Sequence, residues 1–257
     1  MPPVDGTTVI VHCATSTRGD AAATRNLIRA ASPSGNPHLV YVSIVGVDRI
    51  PAWGYTKAKL EAERAVADSG MPWTILRATQ FYDYMLPTLR RMARLPVIPV
   101  PAGFRVQPVD PDEVAARLVE LTLTAPAAHV SDVAGPQETS WADLLRGYLL
   151  ASRLRRVVLP VLFPGTRAVR AGGLLPRPGY TAGKRTWEQF LAANLLWPRQ
   201  PASPTSRMAV ASRLVSCTDA AATFSVTCSG DPDPGIGSIC CDLSSSQAST
   251  IWRVLMP

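Results

Sequence analysis

Three side chains in the first quarter of the chain have types and a spacing that suit proton transfer to a carbonyl group. Tyr55 and Lys59 are four residues apart, so they share one face of a helix, and Ser43 lies twelve residues before Tyr55. A free tyrosine has a pKa of about 10, and a neighbouring ammonium lowers that value by favouring the phenolate. A serine hydroxyl can hold a carbonyl oxygen against the phenol. The three residues therefore predict a proton-transfer site for carbonyl reduction. The alternative is a half-buried tyrosine and a solvated lysine without a catalytic role.

The elements that must position these residues alternate along the first two thirds of the chain. Short β-branched runs predict strands at residues 8–12, 39–43, 73–77 and, more weakly, 129–133. Longer amphipathic stretches predict helices at residues 20–31, 55–69, 81–94, 112–124, 140–152 and 186–194. Asp20 can cap the first of these helices. The predicted class is α/β, a doubly wound parallel sheet in which Ser43 ends a strand and Tyr55 begins a helix.

Composition divides the chain into three parts. Residues 1–135 carry the alternation of strands and helices, and we interpret them as a partial Rossmann-like domain. Residues 136–197 hold two helices separated by Pro and Gly, which predicts a small helical lobe over the ligand-binding edge of the sheet. Residues 198–257 contain no Lys, no Glu, 11 Ser and four of the five Cys. They show no sustained helical or strand period. This composition predicts a disordered tail.

Several classes of function are excluded or disfavoured. With 47% hydrophobic and 18% charged residues, the chain of 257 residues is not a disordered one. No apolar stretch of 18 residues and no signal-like start occur, which predicts a cytoplasmic protein without a membrane partner. The net charge of +7 comes from 23 Arg and 3 Lys scattered among apolar positions, which argues against nucleic acid. No metal site is predicted, because the cysteines lack metal-ligand spacing and structural roles are favoured for His12, His38 and His129.

Several stretches of the chain resemble, in the right order, the NmrA-like group of atypical short-chain dehydrogenases/reductases, whose members bind NAD(P). They are residues 40–48, 55–63, 73–81 and 109–115, and the resemblance covers about residues 4–196. It implies an NAD(P)-dependent oxidoreductase with a small-molecule substrate. In this interpretation Tyr55 is the general acid, Lys59 lowers its pKa and positions the ribose, and Ser43 orients a carbonyl.

The resemblance also implies a site for the nicotinamide half of the cofactor, beyond the carboxyl ends of three strands. Its lining would consist of Ala14, Thr15, Ser43, Tyr55, Lys59, Ala78, Thr79, Gln80 and Phe81. For Thr79, Gln80 and Phe81, a structural role in a strand-to-helix turn is an alternative that stays open.

The phosphate half of the cofactor site has no counterpart in the sequence. In the family a Gly-rich turn between the first strand and first helix holds the pyrophosphate, whereas residues 4–16 resemble the family's fourth strand. The one G-x-G, at Gly235 and Gly237, follows no predicted strand. We therefore expect the first three strands to be missing, NAD or NADP to bind weakly, and a free sheet edge through which the chain could self-associate. The residues do not distinguish NAD from NADP.

Two alternatives to an active reductase stay open. One is a non-catalytic NAD(P)-sensing regulator that binds a protein partner. Retention of Ser43, Tyr55 and Lys59 favours the enzyme over this sensor, because a sensor needs no proton donor. The other is an inactive truncated product, which the missing phosphate-binding turn favours.

Overall fold

The computed structural model describes residues 7–15, 19–50, 54–195 and 224–227. Its strands are β1 (Val9–His12), β2 (His38–Ile44), β3 (Trp73–Ala78), β4 (Val97–Pro101), β5 (Arg105–Val106), β6 (Ala128–His129), β7 (Val133–Ala134), β8 (Thr139–Ser140), β9 (Val157–Val161), β10 (Thr181–Ala182) and β11 (Phe224–Thr227). Its α-helices are α1 (Asp20–Ala31), α2 (Gly54–Ala67), α3 (Tyr82–Met92), α4 (Pro111–Thr122), α5 (Trp141–Ala151) and α6 (Trp187–Leu195). Within these ranges, no helix has the length and apolar content needed to cross a bilayer.

One parallel sheet forms the centre of the molecule, in the strand order β10-β7-β3-β2-β1-β11 with β6 also beside β3. Alternate residues of its central strand β2 point to opposite faces. Leu39 and Tyr41 pack with apolar residues of α1 and α2, whereas Val40 packs with residues of α4. Helices on both faces of a parallel sheet confirm the predicted α/β, Rossmann-like class.

The edge strand β1 has a partner from the far end of the chain. Residues 224–227 run parallel to it, with Phe224 beside Val9 and Thr227 beside His12. The sequence predicted a free edge here and no packed segment within residues 198–257. The structure differs because an unpaired parallel edge presents a row of N–H and C=O groups, and aromatic and β-branched residue types suit a strand that satisfies them. The rest of that predicted tail lies outside the described residues.

The C-terminal lobe is built from two separate stretches of chain. Apolar side chains of α3 and β4 pack against α5 and α6 in one cluster, which includes Leu86, Ile98, Leu145 and Trp187. In addition, β4 pairs with β9 in parallel and β5 pairs with β8 in antiparallel orientation. The lobe predicted for residues 136–197 thus shares its core with residues that precede it.

The predicted helices agree with the observed ones to within two residues at either end. The predicted strand at 129–133 is split into β6 and β7. Between them, the carboxylate of Asp132 accepts a hydrogen bond from the backbone N–H of Arg177 at 2.9 Å. None of the short strands β4, β5, β8 and β9 was predicted. β4 and β9 contain prolines, which suit the exposed edges of a two-stranded sheet but are typical of loops in a sequence.

An arginine network joins the lobe to the segment that follows β2. The Arg77 guanidinium donates to both carboxylate oxygens of Glu63 on α2, at 2.9 and 2.7 Å, and to Asp48 at 3.1 Å. Asp48 also accepts a hydrogen bond from Arg177 of the lobe. These contacts set the position of α2, and with it the position of Tyr55 and Lys59.

Candidate functional site

The carboxyl ends of the three central strands meet at one edge of the sheet. The parallel register brings His12 at the end of β1 beside Tyr41, and Ser43 near the end of β2 beside Arg77. In open parallel sheets, ligands bind outside this edge. The residues that follow β1, β2 and β3, together with the first turns of α1 and α2, therefore form the candidate site.

Tyr55 lies in the first turn of α2 at the exposed rim of this site. Its side chain is 37% exposed, and its hydroxyl lies 3.0 Å from the hydroxyl of Thr15, which follows β1 after the buried Ala14. Burial raises the pKa of Tyr55 by more than the hydrogen bond from Thr15 lowers it. The sequence predicted a lowered pKa, so the direction is reversed: desolvation of the phenolate outweighs the stabilising contacts.

Lys59 lies one turn further along α2, and it is buried rather than solvated, with 3% of the residue exposed. Its Nζ is 3.1 Å from Oδ2 of Asp20 and donates to the carbonyl oxygen of Val42 at 3.3 Å. The same ammonium lies 5.0 Å from the centre of the Tyr41 ring, within the range of a cation–π contact. Burial lowers the pKa of Lys59, and the carboxylate of Asp20 opposes that shift.

Asp20 is a residue of the candidate site that the sequence interpretation missed. It was assigned as the cap of α1, but Gly19 occupies the cap position and Asp20 is the first helical residue, almost wholly buried. Its carboxylate forms an ion pair with Lys59. The signal available in the sequence was an acidic residue at the start of the helix that follows the first strand, a position where the helix dipole favours negative charge.

His12 supports this pair from the sheet. Its Nε2 is 2.9 Å from the hydroxyl of Thr24, which in turn donates to the backbone carbonyl of Asp20 at 2.7 Å. Burial, with a smaller contribution from Lys59, lowers the pKa of His12 to about 3. The imidazole is therefore neutral at physiological pH and serves to hold the first turn of α1 in place.

Among the buried polar atoms at the same edge that have no hydrogen-bond partner within the described part of the chain, two belong to residues predicted for the site. They are Oγ of Ser43, a residue that is 1% exposed, and Oε1 of Gln80. Buried polar atoms in proteins normally find a partner, so each of these two has a hydrogen bond left to offer a ligand.

The other residues predicted after β3 make contacts within the protein. The carbonyl of Ala78 accepts a hydrogen bond from the N–H of Val45 at 2.9 Å, and the hydroxyl of Thr79 donates to the carbonyl of Gln107 at 2.6 Å. Phe81 caps α3 and packs with the apolar cluster under α4. These contacts fit the structural alternative for Thr79 and Phe81, and their place in a ligand site stays a prediction.

Metal ligands are not assembled in the described ranges, where no three side chains of His, Cys, Asp or Glu are grouped closely enough to hold an ion. The four C-terminal cysteines, at 217, 228, 240 and 241, lie outside those ranges. The polar groups that do converge on the sheet edge are hydroxyls, one amide and one buried ion pair. Such groups suit an organic ligand with hydroxyl and carbonyl functions.

Comparison with known proteins identifies proteins to which part of the chain is similar. Residues 3–123 match the family model described as NAD(P)H-binding. A reductase of Streptomyces griseus subsp. griseus, named (4-alkanoyl-5-oxo-2,5-dihydrofuran-3-yl)methyl phosphate reductase, is 35% identical over 111 residues. That match covers 42% of this chain and 39% of the relative, so the chain spans about two fifths of the relative's length.

Solved structures share the fold. An NADPH-dependent quinone oxidoreductase from Escherichia coli, in complex with NADPH, superimposes with a TM-score of 0.63 at 17% identity, over 75% of this chain and 78% of that one. A nucleoside-diphosphate-sugar epimerase from Staphylococcus aureus gives 0.58 at 17% identity, over 73% and 77%. The fold and the sheet-edge site define a Rossmann-like protein. Residues 3–123 are similar to the NAD(P)H-binding family, in line with the resemblance that the motifs of the chain predicted.

Proposed function

We propose that this chain is an NAD(P)-dependent reductase that acts on the carbonyl or conjugated carbonyl group of a small molecule. The observation that carries the proposal is the hydroxyl of Tyr55, exposed at the sheet edge and bonded to Thr15. Ser43, whose hydroxyl has no partner within the described residues, lies near the carboxyl end of β2 at the same edge. The reductase from Streptomyces and the quinone oxidoreductase from Escherichia coli support the same class of reaction.

Tyr55 would act as the proton donor. Because its pKa is raised, the phenol is fully protonated at neutral pH, which suits an acid that gives its proton to a developing oxyanion. Thr15 would hold the phenol in position and hydrogen-bond the phenolate left after transfer. Ser43 would donate its free hydroxyl to the same substrate oxygen, because a buried donor without a partner gains most from a new acceptor.

The residues at the sheet edge fit the nicotinamide half of the cofactor. Ser43, Tyr55 and Lys59, together with the backbone after β1 and β3, would hold that half. A bound reduced nicotinamide would supply the two electrons and one of the two hydrogens of the reduction. Lys59, whose ammonium is oriented by Asp20, would be the residue that holds the ribose.

Binding of NAD or NADP is expected to be weak in this chain. The sequence holds no Gly-rich turn after a predicted strand, so charge-assisted contacts to the pyrophosphate would be few. We expect a loss of affinity on the order of three decades or more relative to a complete dinucleotide site. Titration with NADPH and with NADH, monitored by the fluorescence of the nicotinamide, measures this affinity. Micromolar or tighter binding would contradict the expectation.

Tyr55→Phe tests the catalytic role. The substitution removes a donor used only in the transition state, so turnover of a quinone or an unsaturated ketone, followed as loss of NADPH absorbance, should fall by about two to four decades. The affinity for NADPH should stay nearly intact, because the phenol contributes mainly in the transition state. Tyr180→Phe is a matched control, because that tyrosine has the same exposed fraction of 37% but lies in the lobe. Equal turnover by the Tyr55 variant would refute the role.

A second candidate is a non-catalytic NAD(P)-sensing regulator. It is favoured by the ion pair with Asp20, which holds Lys59 away from solvent, since binding alone does not need Lys59 to act on Tyr55. A sensor would bind NADPH and NADP with different affinities and turn over no carbonyl substrate. Its cofactor binding would also be unchanged by Tyr55→Phe.

A further inference from the structure

One end of the β4–β9 sheet combines exposed aliphatic side chains with arginines. We call it the basic ribbon end, and it consists of Arg94, Leu95, Val97, Leu150, Arg153, Arg155, Arg156 and Val157. Its aliphatic members have between 48% and 82% of their surface exposed. Single exposed aliphatic residues are normal on a protein, whereas a contiguous group of them marks a surface used for binding.

Hydrogen bonds show that the three segments of the basic ribbon end, which are residues 94–97, the end of α5 and residues 153–157, adjoin one another. The N–H of Val157 donates to the carbonyl of Pro96 at 3.1 Å, and Nε of Arg156 donates to the carbonyl of Ala93 at 3.0 Å. Just after α5, the N–H of Leu154 donates to the carbonyl of Leu149 at 2.8 Å. Val97 and Val157 are direct neighbours in the register of the sheet. The side chains thus form one surface.

This surface carries positive charge without carboxylates to neutralise it. The two stretches of chain that build it, residues 94–97 and 150–157, contain four Arg and no Asp or Glu. Within the described residues, no ion pair joins a carboxylate to Arg94, Arg153, Arg155 or Arg156, whereas Arg146 on the preceding turn of α5 pairs with Asp143 at 2.7 Å. The four guanidinium groups therefore present their full charge around an aliphatic centre.

The basic ribbon end is separate from the candidate active site. Helix α3 begins at Tyr82, just after the sheet edge, and ends at Met92, just before Arg94. Its 11 residues span about 16 Å at the usual rise of 1.5 Å per residue. The charge and the aliphatic side chains of this surface therefore serve a contact other than the one with the reduced substrate.

We propose that the basic ribbon end binds the surface of an anionic lipid bilayer. A second copy of the chain would bring arginines against arginines, which opposes association. Single-stranded nucleic acid is bound through aromatic platforms, and this surface has none. Arginines around aliphatic side chains suit phosphate headgroups around acyl chains. The contact is peripheral, so it revises the expectation of no membrane partner without requiring a helix that spans the bilayer.

Co-sedimentation of the full chain with vesicles tests the proposal. Vesicles of phosphatidylcholine with phosphatidylglycerol should bind the chain at low ionic strength, and vesicles of phosphatidylcholine alone should not. Added salt should release it, because screening shortens the range of the attraction. Arg153→Gln with Arg155→Gln should weaken the partition about 25-fold, since each arginine near an anionic surface contributes about fivefold.

Two further variants separate this contact from a general effect of net charge. Arg25→Gln with Arg64→Gln makes the same change of charge at exposed positions on α1 and α2, and it should leave binding nearly intact. Leu150→Ser with Val157→Ser keeps the charge and should still weaken binding, because aliphatic contact with the acyl region is lost. No binding to anionic vesicles, or equal losses in both arginine pairs, would overturn the proposal. The proposal would also be overturned if a duplex oligonucleotide bound with the same arginine dependence and the substitutions of Leu150 and Val157 had no effect on vesicle binding.

Discussion

The candidate site has a rim and a floor, one helical turn apart on α2, and the two differ in almost every physical respect. At the rim, the neutral hydroxyls of Tyr55 and Thr15 are 3.0 Å apart and face solvent. At the floor, the charged groups of Lys59 and Asp20 are 3.1 Å apart and almost wholly buried. Spacing alone places Tyr55 and Lys59 on a common face of the helix. Burial decides which of them carries a charge and how strongly each is held.

The rim and the floor also differ in how much they contribute to stability. A neutral hydrogen bond at the surface contributes about 1 kcal/mol or less to stability. Removing one partner of a buried ion pair is far more costly, because the other charge stays desolvated without compensation. The rim is therefore free to change with the substrate, and the floor determines whether α1, α2 and the central strands keep their arrangement.

The largest effect is expected from breaking the floor. Asp20→Ala leaves the ammonium of Lys59 buried without its carboxylate, and the free energy of unfolding should fall by about 3–5 kcal/mol. Urea denaturation measures this change. The double variant Asp20→Ala with Lys59→Met should lose less, because no charge remains to be compensated. A loss below about 1 kcal/mol in the single variant would mean that the pair is not a structural unit of the floor.

An intermediate effect is expected from acid. The pKa of His12 is about 3 in the folded protein against 6.5 for the unfolded chain, so between these values the unfolded state binds more protons. The contribution of His12 to stability is therefore fully present above pH 6.5, and it is lost as the pH drops towards 3. The loss from this residue should be about 2 kcal/mol at about pH 5. Urea unfolding curves measured at several pH values should show this loss in the original chain and not in His12→Asn. If the unfolding free energy of the variant depended on pH as before, the acid sensitivity would belong to other residues.

The smallest effect is expected at the rim. Thr15→Val removes the hydrogen bond that lowers the pKa of Tyr55, so that pKa should rise further. The change in unfolding free energy should be about 1 kcal/mol or less. Ultraviolet titration of the phenols measures the pKa, with Tyr55→Phe as the reference that identifies the signal of this residue. An unchanged titration would show that the two hydroxyls do not interact in solution.

Much of the fold could be predicted from local patterns. The helices follow the apolar period of the sequence, and the three central strands follow runs such as residues 39–43, because a buried parallel strand is apolar on both faces. The pairing of β4 with β9 could not be predicted in this way. Prolines such as Pro99 and Pro160 are typical of loops in a sequence, and they are tolerated here only because each strand has a free edge.

The sequence by itself determined the α/β class, the order of the main elements and the positions of Tyr55, Lys59, Ser43 and Thr15 near strand or helix ends, because periodicity and element ends are local properties. Only the tertiary structure decided that Asp20 meets Lys59, that the pKa of Tyr55 is raised and that residues 224–227 pair with β1. Each of these depends on which distant groups come together and on how much water they lose. Desolvation and partner choice are properties of the packed molecule, and no local pattern in the chain records them.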